Sequence, residues 1–237
     1  MIPITDNIFF FSRKKPIVVY WLIGINIALF LCQLKLELNS ELSHFVNSWG
    51  IIPAQISGAI ANGLSGNPAA WVVVLMRSTS LLTGMFLHSS FSQILGNSIF
   101  LWVFGKTLES ILGYRQFLLF YLISGILTGL VQILADPGLT VPLIGSNGAI
   151  AAILGAYVLK FPRVKIDTVL PLLILFIPVE LPAFFYLFWW FIQQLSYSIG
   201  SLNISGGVNP ISIGYWTHGV GLLIGVALMK LLQKRIS

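Results

Sequence analysis

Apolar residues run along this chain in blocks of fifteen to twenty, and polar residues gather between the blocks. Residues 16–34 form the first block. At about 1.5 Å per helical residue it is long enough to cross a hydrocarbon core of roughly 30 Å. Residues 91–108, 117–134, 145–161, 181–199 and 216–232 repeat the pattern, which predicts six membrane-spanning helices. Residues 35–87 are too apolar for a solvated loop, and their runs at 49–53, 56–61 and 71–76 predict short helices lying in, or dipping into, one interface. Residues 168–177 are also apolar, but Pro171 and Pro178 break them. The fold class that follows is an all-α membrane protein: a six-transmembrane-helix bundle with a long, partly helical first loop. It forms one domain over residues 16–233, with a segment 1–15 before it and a tail 234–237 after it. We see no internal repeat and no low-complexity tract.

Composition supports this reading. Of the 237 residues, 57% are hydrophobic and 8% charged, with a mean hydropathy of +0.91. A soluble domain carries about 25% charged residues, so this chain cannot cover a surface in water, and its first partner is the lipid bilayer. The net charge of +6 does not point to nucleic acid, because the basic residues sit at segment ends. With the N-terminus inside, Arg13, Lys14, Lys15, Lys106, Arg115, Lys160, Arg163, Lys165, Lys230, Lys234 and Arg235 all fall on the inner side. Only Lys35 and Arg77 fall outside. That bias predicts a multi-pass protein with both termini on the cytoplasmic side, or the equivalent side of an organelle. The single cysteine, Cys32, excludes a disulfide framework within the chain. No cleavable signal peptide is evident, because the first apolar run is long enough to span.

The fourth segment differs from the rest. It is rich in small residues (Gly145, Ser146, Gly148, Ala149, Ala151, Ala152, Gly155, Ala156) and has only about sixteen residues, roughly 24 Å. Ser146 or Asn147 suits its N-cap. In the six-span topology Asn97, Ser146, Asn147 and His218 come from three separate helices yet lie at similar depth in one leaflet. Polar groups at such depth face a bundle interior or a watery cavity. Taken singly, each has a plain structural reading. The Gly221/Gly225 pair marks a close-packed helix face, Ser146 and Asn147 cap a helix, and His218 anchors an interface.

As a set they resemble the rhomboid family of intramembrane serine proteases. The resemblance covers most of the chain: Ile2-Pro3, Gly50-Ile51-Ile52-Pro53-Ala54, Phe86-Leu87-His88 through Gly96-Asn97, Leu101 to Gly105, Gly145 to Tyr157, Phe161-Pro162, and His218 to Gly225. It implies a Ser-His dyad that cuts in or beside the transmembrane segments of other proteins. A serine on the short fourth helix would be the nucleophile and His218 its general base. A His-x-x-x-Asn pattern on the second helix would supply oxyanion donors. Gly145, Gly148, Gly221 and Gly225 match the family's glycine frame, and His88 matches an earlier histidine common in it.

The sequence departs from the family at two positions. The Gly-x-Ser-Gly motif reads Gly145-Ser146-Asn147-Gly148, so Asn147 stands at the nucleophile position. The oxyanion histidine position holds Gln93, while Asn97 is kept. Asn147 carries no hydroxyl and cannot replace serine in acyl transfer. Three functions remain open: a rhomboid scaffold that binds transmembrane segments without cutting them, an active protease using a Ser146–His218 dyad, and a small transporter or channel. No metal cluster, phosphate loop or nucleotide motif is present in the sequence, so no cofactor and no metal is assigned.

Overall fold

A computed structural model of the chain describes residues 1–8, 15–172, 175–200 and 210–233. Arg13, Lys14, Lys234, Arg235 and the expected tail 234–237 lie outside the described residues. Strand β1 (Ile2–Asp6) precedes helix α1 (Ile17–Leu38). Four short helices follow: α2 (Leu42–Trp49), α3 (Pro53–Leu64), α4 (Ala69–Ser78) and α5 (Ser80–Thr83), with a 3-10 turn over Gly84–Phe86. Helix α6 (Phe91–Phe100) passes through a π turn (Leu101–Gly105) into α7 (Lys106–Leu112). Then come α8 (Tyr114–Ala135), α9 (Asn147–Lys160), β2 (Lys165–Leu172), β3 (Leu175–Pro182), α10 (Ala183–Gly200) and α11 (Pro210–Gln233).

The protein is a helical bundle, as the apolar blocks predict. Each of the six blocks coincides with a helix or, for residues 91–108, with the run from α6 through the π turn to α7. Among the described residues Ile17–Leu38, Ala69–Phe86 and Tyr114–Ala135 are long and apolar enough to cross a membrane. Asn147–Lys160, Ala183–Gln193 and Thr217–Gln233 are apolar but shorter. Large side chains such as Trp21, Leu31, Leu75, Leu134, Phe188 and Leu223 point outward. Such a surface suits hydrocarbon and not water.

Helix α9 is the axis of the bundle. Every residue from Gly148 to Tyr157 is buried, because α8, α11 and the π turn enclose it. Its small side chains permit this. A Cβ on Gly221 would lie 2.5 Å from the Gly148 carbonyl oxygen and 2.8 Å from Ala151 Cβ, and one on Gly225 would run into the Ala152 carbonyl. The contacts advance together along both chains, so α9 and α11 run in the same direction at backbone-to-backbone range.

A three-stranded antiparallel sheet, in the order β1-β2-β3, is an addition to the expected helical architecture. Residues 165–168 alternate outward and inward, with Ile166 and Thr168 buried, which is the period of a half-buried strand. The prolines that break a helix here are tolerated in a strand. Pro178 lies on the edge strand β3, and Pro171 lies past the residues of β2 that pair with β1. The segment before the first span therefore joins the bundle through β1. Its Asp6 is buried and accepts hydrogen bonds from the Thr107 hydroxyl at 2.5 Å and the Tyr157 hydroxyl at 2.9 Å. Nearby, the buried Glu109 carboxylate accepts from the Val18 and Val19 N–H groups at 2.9 and 2.8 Å. It thereby satisfies two free donors at the start of α1.

Candidate functional site

The site forms where the loop before α9 meets the first loop and α6. Ile51 and Leu143 exchange backbone hydrogen bonds at 3.0 and 2.7 Å, and the Gly145 N–H donates to the Gly84 carbonyl at 2.9 Å. These bonds pin the approach to α9. Gly145 adopts a φ of +117°, a conformation open to glycine, and a Cβ there would strike the Gln93 amide. Ser146 takes the N-cap position of α9, but its side chain makes no capping bond.

Asn147 is the first residue of α9, and its side-chain carbonyl accepts a hydrogen bond from Asn97 Nδ2 at 3.0 Å. Gln93 lies one turn before Asn97 on α6, and its amide is engaged at both ends. Nε2 donates to the Ile144 carbonyl at 3.3 Å, while Oε1 accepts from the Ser89 N–H at 2.7 Å and the Ser89 hydroxyl at 3.1 Å. The structure thus brings Gln93, Asn97, Gly145 and Asn147 into one cluster. Gly148 follows and is packed against Thr128 on α8.

His218 lies on α11 one turn before Gly221. Because Gly221 rests on Gly148, His218 and Asn147 belong to the same end of one tight helix pair. The imidazole packs edge-on against Trp190 of α10, with centroids 5.2 Å apart and planes at 83°. His88 sits below the start of α6 and is buried. Its backbone N–H and C=O pair with the buried Gln33 amide of α1 at 3.0 and 3.1 Å. Burial, opposed in part by the Phe86 backbone, holds the His88 imidazole down to about 4 from 6.5, so it is neutral at pH 7.

Ser146 faces elsewhere. The Tyr121 phenol on α8 has the Ser146 hydroxyl and the Asn26 amide of α1 as its polar neighbours, so the Ser146 side chain lies on the α1–α8 side of α9. Beside Asn147 is a cavity of about 60 Å³ lined by Met85, Thr128, Gln132, Gly148 and Thr217 among others. Gln132 Nε2 donates to Thr217 Oγ1 across it at 2.6 Å. Thr128, Gln132, Thr217, Gln33 and Trp190 join the neighbourhood without having been singled out by motif. For Gln33, Thr128 and Gln132 the available signal was a polar residue inside an apolar span. Nothing in the sequence paired Trp190 with His218. Among the described residues no group of three or more His, Cys, Asp or Glu could hold a metal ion.

Residues 75–235 match the model of the Rhomboid domain. The mouse presenilin-associated rhomboid-like protein, mitochondrial, is 31% identical over 117 residues, covering 48% of this chain and 28% of that protein. A putative rhomboid protease of Bacillus subtilis is 36% identical over 77 residues, covering 32% of this chain and 38% of its own length. Rhomboid-like protein 11, chloroplastic, of Arabidopsis thaliana is 26% identical over 225 residues, covering 94% of this chain and 68% of that protein. The chain thus spans less than a third of the length of the mouse relative. The match to the family model covers most of the chain, and it runs through Asn97, the Gly145–Gly148 frame and His218; the chain belongs to the rhomboid family of integral membrane proteins.

Proposed function

We propose that this protein is a rhomboid-family scaffold that binds transmembrane segments of other membrane proteins and does not cut them. Both termini face the cytoplasm or the equivalent side of an organelle, in keeping with the distribution of basic residues. The observation that carries the reading is the side-chain bond between Asn97 and Asn147. At the position where the family's mechanism needs a hydroxyl, this chain has an amide already held by its neighbour. An amide offers no proton that an imidazole can remove near neutral pH, so no acyl-enzyme forms there. The placement of Gln93 supports the same reading. Its amide ties α6 to the loop before α9, and its one identified donor bond goes to the Ile144 carbonyl. Ser146 gives the dyad alternative no support, since its side chain lies toward Tyr121 and Asn26.

The test is labelling of the detergent-solubilised protein with a serine-directed fluorophosphonate. The proposal expects no labelling of the wild type. Labelling that disappears in Ser146→Ala would overturn it.

A further inference from the structure

Helices α3 and α4 pack against each other as a hairpin about the turn at residues 65–68. By helical spacing, residues 55, 58, 59 and 62 fall on one face of α3, and residues 69, 70, 73 and 77 on one face of α4. Both faces line a groove of about 470 Å³. Small residues leave it open: Gly58 and Ala59 on α3, Ala69 and Ala70 on α4. A Cβ on Gly58 would meet nothing within 4 Å. Polar side chains stand at both ends. Asn62 and Asn67 lie near the turn, with Gln55 and Arg77 at the root of the hairpin, roughly 12 Å away by the rise of α4 from Ala69 to Arg77.

Among the described residues lining the groove, Arg77 is the one cation and there is no carboxylate. Among the described residues Arg77 forms no ion pair either. Its Nη1 donates to the Asn47 carbonyl at 3.3 Å, which uses one of the five N–H donors of a guanidinium. Asn67 Oδ1 is taken by the Ala69 N–H at 3.1 Å, so what this side chain offers a ligand is its Nδ2 donor. The surroundings are apolar: Trp71, Val72, Leu75 and Met76 on α4 and Leu64 beside the turn are exposed. Such a surface belongs in lipid, and a tryptophan on it sits at headgroup depth. A cation at that depth without a carboxylate partner is matched by the phosphates of the lipid itself.

We propose that the α3–α4 groove binds the headgroup of an anionic phospholipid. Arg77 and Gln55 hold its phosphate, and the Asn62 and Asn67 amides meet the hydroxyls beyond it. A zwitterionic lipid fits less well, because no carboxylate in the groove receives its ammonium group. This goes beyond the non-cleaving reading and does not depend on it, since lipid binding is read with no transmembrane segment added.

The experiment is native mass spectrometry of the full chain in detergent, titrated with phosphatidylglycerol or with phosphatidylcholine of the same acyl chains. The expected result is tighter binding of phosphatidylglycerol by about tenfold, the worth of one charge-assisted bond. Equal binding of the two lipids overturns the proposal. Arg77→Gln should lose the preference, and Arg77→Lys should keep part of it. Gly58→Leu fills the groove without touching a charge, and because leucine is the better helix former the fold survives it. It should weaken phosphatidylglycerol binding by about tenfold as well. Phosphatidylglycerol held by Gly58→Leu as tightly as by the wild type overturns the proposal, and so does an acidic peptide that displaces the lipid from the wild type.

Discussion

The two ends of α9 are built on different principles. At the Lys160 end the polar groups gather on one carboxylate oxygen: Asp6 Oδ2 accepts from both Thr107 and Tyr157. At the Asn147 end the backbone is held by a glycine with positive φ and by bonds to the first loop. There the side chains are amides, Gln93 bonded to Ser89 and the Ile144 carbonyl and Asn97 to Asn147, beside a small cavity. One end is a fastening. The other is a receptacle whose parts can be exchanged, and a family member can therefore lose its nucleophile while keeping the bundle that displayed it. The contact between α9 and α11 serves both ends, which is why His218 keeps its place at the Asn147 end of the helix pair even in a chain that lacks the hydroxyl.

Several substitutions would sharpen or break this contrast. The largest loss is expected from Gly225→Val, midway along the helix pair. The added side chain meets the backbone carbonyl of Ala152, which cannot swing away. We expect a loss of about 3 kcal/mol or more, seen as a collapse of the unfolding midpoint in detergent; a midpoint near wild type would show that α9 and α11 are not in backbone contact. Acid comes next and acts at the Asn147 end through His88. Its folded pKa of about 4 lies below the ordinary 6.5, so between those values the unfolded chain binds more protons. The His88 contribution is complete above about pH 6.5 and is lost as pH falls toward 4, a change on the order of 3 kcal/mol. Unfolding midpoints measured from pH 7 to pH 4 should fall less steeply in His88→Gln than in wild type; identical slopes would contradict the assignment.

At the Lys160 end, Asp6→Ala leaves the Tyr157 and Thr107 hydroxyls buried without their acceptor. It should destabilise by about 2 kcal/mol, with Asp6→Asn recovering part of the loss. If Asp6→Ala melts like wild type, the fastening is not where stability resides. The smallest effect is expected from Asn147→Ala, which removes one amide–amide bond at the edge of a cavity and should cost about 1 kcal/mol. A larger loss there than in Asp6→Ala would invert the comparison between the two ends.

The helical bundle was legible because lipid leaves few choices. Six apolar blocks became helices or a helical run, and Gly148, Gly221 and Gly225 announced a close helix pair before any coordinates. The sheet was less legible. Pro171 and Pro178 argue against a helix over 168–177, but strand pairing between residues 2–6 and 166–169 joins distant parts of the chain, and no local pattern encodes it. In the site, the one-turn spacing of Gln93 and Asn97 puts both on one face of α6, but their meeting with the loop before α9 and with Asn147 spans some fifty residues, and no local pattern encodes it. The motif frame did not say which way Ser146 points. That direction depends on Tyr121 and Asn26 from other helices. Nor did it show that Trp190 would meet His218, because that contact is set by how α10 packs.

The central claim is that the amide at position 147 leaves this rhomboid-family chain unable to cut. The most direct measurement presents a reporter transmembrane helix, in liposomes, to wild type, to Asn147→Ser and to Asn147→Ser combined with Gln93→His. The account predicts an intact reporter with wild type, and cleavage that appears with the serine and rises when the histidine is added. Cleavage by the wild type that is abolished in both Ser146→Ala and His218→Ala would contradict it.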